Sequence, residues 1–206
     1  MTIIVASHNE GKVREIKKYF EKAVGDARQP FLAEILSLAD VGFSADLDLV
    51  EDGLTFEENA VKKAEFVRDK LGTDFIVLAD DSGLEIDALD GLPGVDSANF
   101  MGRDTPYTKR FEWILSQVGD KPRDARFVAV MALAFDNRTV TFKATMEGEI
   151  ALAAAGLDGF GYDPIFYLPE HGLTSAQISL EEKNKISHRG KALEKVVEYL
   201  HENFGV

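Results

Sequence analysis

Two neighbouring carboxylates near the middle of the chain are the first residues whose types and position could do chemistry. Asp80 and Asp81 come where we expect a buried strand over residues 75–79 to end, and Ser82 and Gly83 follow them. Two adjacent carboxylates are costly there unless they are solvated, cap the chain or bind a cation. Their oxygens suit Mg²⁺, which takes one or two carboxylates plus water and phosphate oxygens. A solvated turn is an equally good interpretation of this segment alone.

A second acidic segment lies upstream, in the loop-like residues 46–53. It includes Glu51, two residues before Gly53. Acidic residues that precede a helix often form only a solvated turn. If this loop returned to Asp81, Glu51 would supply a further metal ligand, but the sequence alone leaves both possibilities open.

A polar turn near the start of the chain could bind phosphate. Its residues are Ser7, His8, Asn9, Glu10, Gly11 and Lys12. A helix that begins here would offer backbone N–H groups to an anion, and Lys12 would add a full positive charge. The turn is not a Walker A loop, because Val13 stands where that motif needs Ser or Thr. A helix cap with a surface lysine is the alternative.

Two later segments could recognise a nucleobase. Phe160 lies in the glycine-rich residues 159–164, where glycines allow a close approach and stacking on a base contributes about 1–3 kcal/mol. Phe160 could instead fill a core beneath the loop. Lys183 precedes a predicted helix whose first turn holds His188 and Arg189. Cations there oppose the helix dipole, so they indicate either an acceptor-rich ligand or a solvated basic patch.

The elements that must position these residues alternate early in the chain and pair locally later. Apolar runs predict strands over residues 3–6, 33–38, 75–79, 126–135 and 139–150. Helical spacing and cap signals predict helices after Gly11, after the capping boxes 55–58 and 179–182, after Thr105-Pro106, and from about residue 188. We therefore expect an α/β fold with a mixed sheet.

Composition limits the class of partner. The chain has 206 residues and a formal net charge of −13, from 36 acidic and 23 basic residues, so it is poorly suited to bind a nucleic acid polymer. It has no cysteine, which excludes disulfides and thiolate chemistry and fits a cytoplasmic location. The apolar start is too short for a signal peptide, and no apolar run is long enough for a membrane span.

Taken together and in order, these segments resemble the inosine triphosphate pyrophosphatase family. The matching stretches cover the chain from end to end; they are residues 7–12, 53–60, 79–84, 91–95, 159–166 and 187–190. The resemblance implies one domain over residues 1–206. It also implies a mixed, elongated β-sheet flanked by helices, two lobes with a central substrate cleft, and a homodimer.

The resemblance also implies an activity and its residues. The family hydrolyses non-standard purine nucleoside triphosphates (ITP, dITP and XTP) to the monophosphate and pyrophosphate, with Mg²⁺ as cofactor. This reaction cleanses the nucleotide pool of these nucleotides. Asp81 matches the catalytic residue and metal ligand, and Glu51 the second metal ligand. The implied substrate-binding residues are Ser7, His8, Asn9, Glu10, Gly11, Lys12, Ser82, Phe160, Gly161, Tyr162, Asp163, Lys183, His188 and Arg189. His8 departs from the family, in which a small residue is common at that position.

Other functions remain open at this stage. A regulatory module could bind a nucleotide without hydrolysing it, although the presence of Glu51 and Asp81 favours an enzyme. A hydrolase could act instead on nucleoside diphosphates or pyrimidine triphosphates. A nucleic-acid-binding protein is disfavoured by the acidic charge. Donors from His188 and Arg189 at the 6-oxygen of hypoxanthine or xanthine would exclude adenine, whose 6-amino group would leave them unpaired.

Overall fold

The computed structural model describes residues 1–24, 33–44, 47–72 and 74–205, and these contain one seven-stranded sheet and five α-helices. The strands are β1 (Thr2–Val5), β2 (Glu34–Ser37), β3 (Ile76–Ile86), β4 (Asp124–Phe135), β5 (Arg138–Ile150), β6 (Phe166–Leu168) and β7 (Leu173–Thr174). The helices are α1 (Glu10–Val24), α2 (Phe56–Leu71), α3 (Tyr107–Val118), α4 (Leu180–Ile186) and α5 (His188–Phe204). Residue 46, part of the predicted acidic loop, lies outside the described residues.

The sheet is mixed, as the sequence predicts. Its strand order is β2-β1-β3-β4-β5-β6-β7. β1 pairs in parallel with both β2 and β3, whereas β6 pairs antiparallel with β5 and β7. Two residues join β4 to β5 as a hairpin, and the first of them, Asp136, has a left-handed φ of 49°. Asp is one of the few non-glycine residues that adopt this conformation readily.

The chain divides into two compact units, each with its own core. The first unit comprises residues 1–81, 129–143 and 190–206. Its core includes Ile3, Ile4, Val5, Ile16, Phe20, Ala60, Ala64, Val67, Leu193, Val196 and Leu200. The second unit comprises residues 82–128 and 144–189, and its core includes Leu84, Ile86, Phe111, Ile114, Phe127, Ile165 and Phe166. Most residues of the apolar faces of α1, α2 and α5 are thus buried, whereas Val13, Leu71 and Val197 are half-buried and Phe204 stays 40% exposed.

Side-chain caps explain where several helices begin. Thr55 accepts a hydrogen bond from the N–H of Glu58 at 3.1 Å, and so caps α2. Glu58 reaches back to the N–H of Leu54 rather than to that of Thr55, so this capping box is shifted by one residue. The box at Ser179 and Glu182 is complete. The predicted cap at Thr105 is wrong, because α3 begins at Tyr107 and Pro106 occupies the cap position.

The predicted end of the central strand is also wrong. β3 does not stop at Ala79 but continues through both aspartates to Ile86. The strand can accommodate Asp80 and Asp81 because side chains alternate between the two faces of a sheet, so the two carboxylates point apart. Each then meets a different lysine, as described below. Among the described residues, no helix has the length and apolar character needed to cross a membrane.

Candidate functional site

Asp80 is fully buried and paired with a lysine from the predicted phosphate turn. The Nζ of Lys12 lies 2.5 Å from Oδ1 of Asp80, and the Asp80 side chain has no exposed surface. The expectation of a surface lysine, which was the alternative for this turn, is therefore wrong. Asp80 holds the charge of Lys12 in place beside β3.

Asp81 meets a second buried lysine, from α2. The Nζ of Lys63 donates to the carboxylate of Glu51, to the backbone carbonyl of Asp80 at 2.7 Å, and more weakly to Oδ1 of Asp81 at 3.4 Å. Lys63 is only 3% exposed. The two predicted metal ligands, Glu51 and Asp81, therefore both contact the ammonium group of Lys63. We call Lys12, Glu51, Lys63, Asp80 and Asp81 the carboxylate–lysine cluster.

Burial shifts the protonation of this cluster. It raises the pKa of Asp81, and the positive charges of Lys63 and Lys12 only partly oppose that shift. Burial alone would lower the pKa of Lys63, but Asp81 and Glu51 outweigh it and raise the pKa. A buried carboxylate whose proton affinity is elevated beside a fixed cation is suited to accept or hold a proton in a reaction.

The predicted phosphate turn forms the start of α1. Asn9 caps this helix, because its Oδ1 accepts the N–H of Lys12 at 3.2 Å and its backbone carbonyl accepts the N–H of Val13. Ser7 in turn accepts the N–H of Asn9 at 3.2 Å. Glu10 and Gly11 lie in the first helical turn. The cap and the anion-binding interpretation are compatible, since a capped helix still presents its positive dipole end.

His8 links this turn to the loop that carries Glu51. Its Nε2 donates to the backbone carbonyl of Leu47 at 2.7 Å. His8 is not among the described non-glycine residues with positive φ, so a larger side chain is tolerated where the family commonly has a small one. Ser7 and His8 also line a groove of about 660 Å³ along α1, whose lining includes Lys17 and Phe43.

The second unit gathers the predicted base-binding residues. Asp163 is buried and accepts hydrogen bonds from Nζ of Lys183 at 2.7 Å, from the N–H of Phe160 at 2.8 Å, and from the hydroxyl of Ser175 at 2.7 Å. A Cβ on Gly159 would lie 2.2 Å from Oδ2 of Asp163, so only glycine fits there. Asp163 therefore shapes the loop that presents Phe160 and fixes Lys183.

Two cations lie over the ring of Phe160. The Nζ of Lys183 is 5.3 Å and the guanidinium carbon of Arg189 is 5.4 Å from its centroid, within the range of cation–π attraction. Arg189 also donates to the hydroxyl of Ser82 at 3.0 Å. We call Phe160, Lys183 and Arg189 the aromatic–cation cluster. The neighbouring His188 is buried and stacks on Phe127, with ring centroids 4.9 Å apart.

Tyr162 does not join the aromatic–cation cluster. Its side chain is buried in the second core, and its hydroxyl donates to the carbonyl of Ser97 at 2.9 Å. Burial raises the pKa of Tyr162 to about 12. Between Phe160 and Tyr162, Gly161 adopts a left-handed φ of 63°. The buried side chain of Tyr162 is not available to a ligand, and a ligand contact through its backbone stays a prediction.

Comparison with known proteins identifies the family. The sequence profile of the Ham1 family matches residues 3–199. The chain belongs to the Ham1 family. It is 44% identical to the dITP/XTP pyrophosphatase of Geobacillus kaustophilus over 207 aligned positions, which cover 98% of this chain and 96% of that protein. It is 40% identical to the dITP/XTP pyrophosphatase of Caldanaerobacter subterraneus subsp. tengcongensis, over 97% of this chain and 96% of that one.

Solved structures agree with this assignment. The Staphylococcus aureus Ham1 protein superposes with a TM-score of 0.83 at 37% sequence identity, covering 98% of this chain and 99% of that structure. At that identity and coverage, this chain shares its α/β fold with the Staphylococcus aureus Ham1 protein. The resemblance drawn from the sequence motifs is thereby confirmed, whereas the roles of individual site residues stay predictions.

The donor set of the carboxylate–lysine cluster fits the divalent cation that the motifs predict. Glu51 and Asp81 already converge on one positive charge, and carboxylate oxygens are the ligands that Mg²⁺ prefers. In the part of the chain that the structure describes, no three His, Cys, Asp or Glu side chains converge as a metal-binding group. The assignment of Glu51 and Asp81 as the residues that would hold the ion therefore stays a prediction.

Two residues of α2 at this site, Lys63 and Asn59, were missed by the sequence reasoning. Lys63 and Asn59 are polar residues four positions apart on the otherwise apolar, buried face of α2 that contains Ala60 and Ala64. Polar side chains on an apolar helix face are a usable signal, because they must find partners inside the protein. Asp80 was named together with Asp81 in the sequence analysis, but nothing in the sequence pattern indicated its pairing with Lys12.

Replacing Asp81 by Asn should change how stability depends on pH. Burial raises the folded-state pKa of Asp81 above 3.8, so the unfolded chain loses this proton at lower pH than the folded protein does. Its contribution to stability is therefore present at low pH and lost as pH rises from about 3.8 through the folded pKa. We expect the melting temperature of Asp81→Asn, measured by calorimetry in EDTA, to fall less than that of wild type between about pH 4 and pH 7.

The matched control for this experiment is Asp69→Asn. Asp69 lies on α2 in the first unit. Its side chain is 68% exposed and pairs with the neighbouring Arg68. Its melting curve should follow that of wild type across the same pH range. Parallel curves for wild type and Asp81→Asn would contradict a raised pKa at Asp81.

Proposed function

We propose that this protein hydrolyses non-standard purine nucleoside triphosphates, namely ITP, dITP and XTP, to the monophosphate and pyrophosphate, with Mg²⁺ as cofactor. The observation that carries the proposal is the convergence of Glu51 and Asp81 on the buried ammonium of Lys63. The family and the dITP/XTP pyrophosphatase names of full-length relatives support the substrate class.

The carboxylate–lysine cluster is suited to a triphosphate. Lys12 and Lys63 are paired there with three carboxylates, so a triphosphate would need the charge of a bound cation in addition to these lysines and the dipole at the N-terminus of α1. Phosphoryl transfer depends mainly on positioning and on neutralising charge, with little covalent work for the protein. Bound Mg²⁺, held by Glu51 and Asp81, would neutralise phosphate charge and lower the pKa of a water molecule.

Asp81 is the residue best placed to handle the proton of the attacking water. Its pKa is raised by burial, and its carboxylate is held by Lys63 on one oxygen. Water attacks the phosphorus between the nucleoside and the terminal phosphates. The bond from that phosphorus to the bridging oxygen breaks, and pyrophosphate leaves with the electron pair. The proton from water passes to Asp81, so no covalent enzyme intermediate is needed.

The aromatic–cation cluster is suited to a purine. Phe160 offers a ring for stacking, and Arg189 supplies donors beside it, whereas His188, the other predicted donor, is buried and stacks on Phe127. Such donors suit the 6-oxygen of hypoxanthine or xanthine and are left unpaired by the 6-amino group of adenine. A buried donor without a partner costs about 1–3 kcal/mol, which is the basis for discrimination against ATP.

Pyrophosphate release is the direct test of the proposed activity. We expect wild type to release pyrophosphate from ITP and XTP with Mg²⁺, far faster than from ATP or GTP, and EDTA to abolish the reaction. Asp81→Asn should lower kcat by about 10²–10⁴-fold, because an amide does not accept the proton. Asp69→Asn is the control and should stay near wild type. Tight nucleotide binding without release from any substrate would favour the regulatory-module function instead.

Arg189 should determine the choice of base. Arg189→Ala removes the donor over Phe160, and we expect kcat/KM for ITP to fall by about 10- to 100-fold, the equivalent of one charged hydrogen bond. The ratio of ITP to ATP hydrolysis should fall as well. Arg126→Ala, which removes an arginine of the same unit bound to Asp87 and Glu147, serves as the control. Unchanged efficiency toward ITP would remove Arg189 from the base site.

We further propose that the protein is a cytoplasmic homodimer that binds no nucleic acid polymer. The net charge of −13 supports the last point, because a polyanion would be repelled. The motif resemblance supports the dimer, and the absence of cysteine fits the cytoplasm. Light scattering after size-exclusion chromatography should give about twice the chain mass of 22.7 kDa, and a monomer would contradict the dimer.

A further inference from the structure

One amide side chain in the first unit joins the loop of Glu51 to the strand of Asp81. Asn59 lies on α2 and is only 1% exposed. Its Oδ1 accepts the N–H of Gly53 at 2.7 Å, and its Nδ2 donates to Oδ2 of Asp81 at 3.1 Å. A backbone N–H can only donate, so the contact with Gly53 fixes which end of the amide faces Asp81.

The backbone at Gly53 is shaped to this contact. A Cβ at position 53 would lie 2.7 Å from Oδ1 of Asn59 and 2.8 Å from Cβ of Glu58, both closer than real Cβ contacts. Gly53 is thus required by close approach to Asn59. Glu51 lies two residues upstream, so the position of its carboxylate depends on where Asn59 holds this loop.

The two oxygens of Asp81 have different partners. Oδ1 faces the ammonium of Lys63, and Oδ2 faces the amide of Asn59. Together these contacts leave the carboxylate no freedom to rotate without losing one of them. Lys63 supplies charge as well as orientation, whereas Asn59 carries no charge and can act on Asp81 only through geometry.

We propose that Asn59 is a positioning residue that holds Asp81 and the Glu51 loop at the separation and orientation at which both carboxylates bind one divalent cation. This inference rests on the proposed pyrophosphatase function. Hydrogen-bond partners of metal-binding carboxylates commonly change metal affinity or activity by about 10–100-fold when removed. Asn59→Ala would remove the tether from both segments and leave Lys12, Lys63 and both carboxylates in the chain.

The test measures metal binding and catalysis separately. Mn²⁺, which shares the oxygen preference of Mg²⁺, is titrated into the substrate-free protein and followed by its electron paramagnetic resonance signal. For Asn59→Ala we expect Mn²⁺ affinity to weaken about tenfold and kcat for ITP to fall about 10–100-fold, with KM changed less than about threefold. Gly53→Ala disturbs the same contact from its other end. It should act in the same direction, and the double variant should be little worse than Asn59→Ala alone.

Thr139→Val is the matched control. It removes the 2.7 Å hydrogen bond that the Thr139 hydroxyl donates to Glu65, another contact between α2 and the sheet, and touches neither Asp81 nor Gly53. Its Mn²⁺ affinity and kcat should equal those of wild type. Melting temperatures of all variants establish that each is folded under the assay conditions, and a folded Gly53→Ala serves if Asn59→Ala is unstable.

The outcomes separate this inference from the proposed function. An active wild type with folded Asn59→Ala and Gly53→Ala variants that keep wild-type Mn²⁺ affinity and kcat would overturn the positioning role alone. A wild type that binds Mn²⁺ but releases no pyrophosphate would overturn the proposed function, and weakened Mn²⁺ binding in Asn59→Ala would still support the role of Asn59. A wild type that neither binds Mn²⁺ nor releases pyrophosphate would overturn both the positioning role of Asn59 and the proposed function.

Discussion

The first unit depends on an ammonium group that has almost no access to water. Lys63 is desolvated among Glu51, Asp81 and the carbonyl of Asp80, and removing its charge would leave two carboxylates facing each other. Buried ion pairs cost desolvation energy and are seldom the most stable solution for a core. Lys63 shares the buried face of α2 with Phe56, Asn59, Ala60, Ala64 and Val67, and buried ionisable groups of this kind are common at functional sites.

The second unit also contains a buried ion pair, which is formed by Asp163 and Lys183. Asp163 is buried beneath a glycine-rich loop, where it orders the backbone at Phe160 and neutralises Lys183. The two clusters place lysines and an arginine at fixed positions in a chain whose formal net charge is −13. Net charge governs encounters at long range, whereas the few cations held at fixed positions determine what binds locally.

Much of the fold followed from the sequence, because periodicity and caps are local signals. The apolar faces of α1 and α2 and the hairpin of β4 and β5 needed no long-range information. The sequence misled where a tertiary contact outweighed the local signal. Asp80 and Asp81 suggested the end of a strand, but lysines from two helices neutralise them and β3 continues. The partners of Lys63, 12 to 18 positions away in the chain, could not be read from spacing alone.

The continuity of β3 has a consequence for where this chain can change in length. Side chains alternate along a strand with a period of two, and this alternation assigns Asp80 to Lys12 and Asp81 to Lys63. One residue inserted or deleted earlier in β3 would invert the phase and present each carboxylate to the wrong lysine. The phase of this strand thus limits its length: substitutions around the aspartates preserve the phase, whereas an odd-numbered insertion or deletion within β3 ahead of them inverts it.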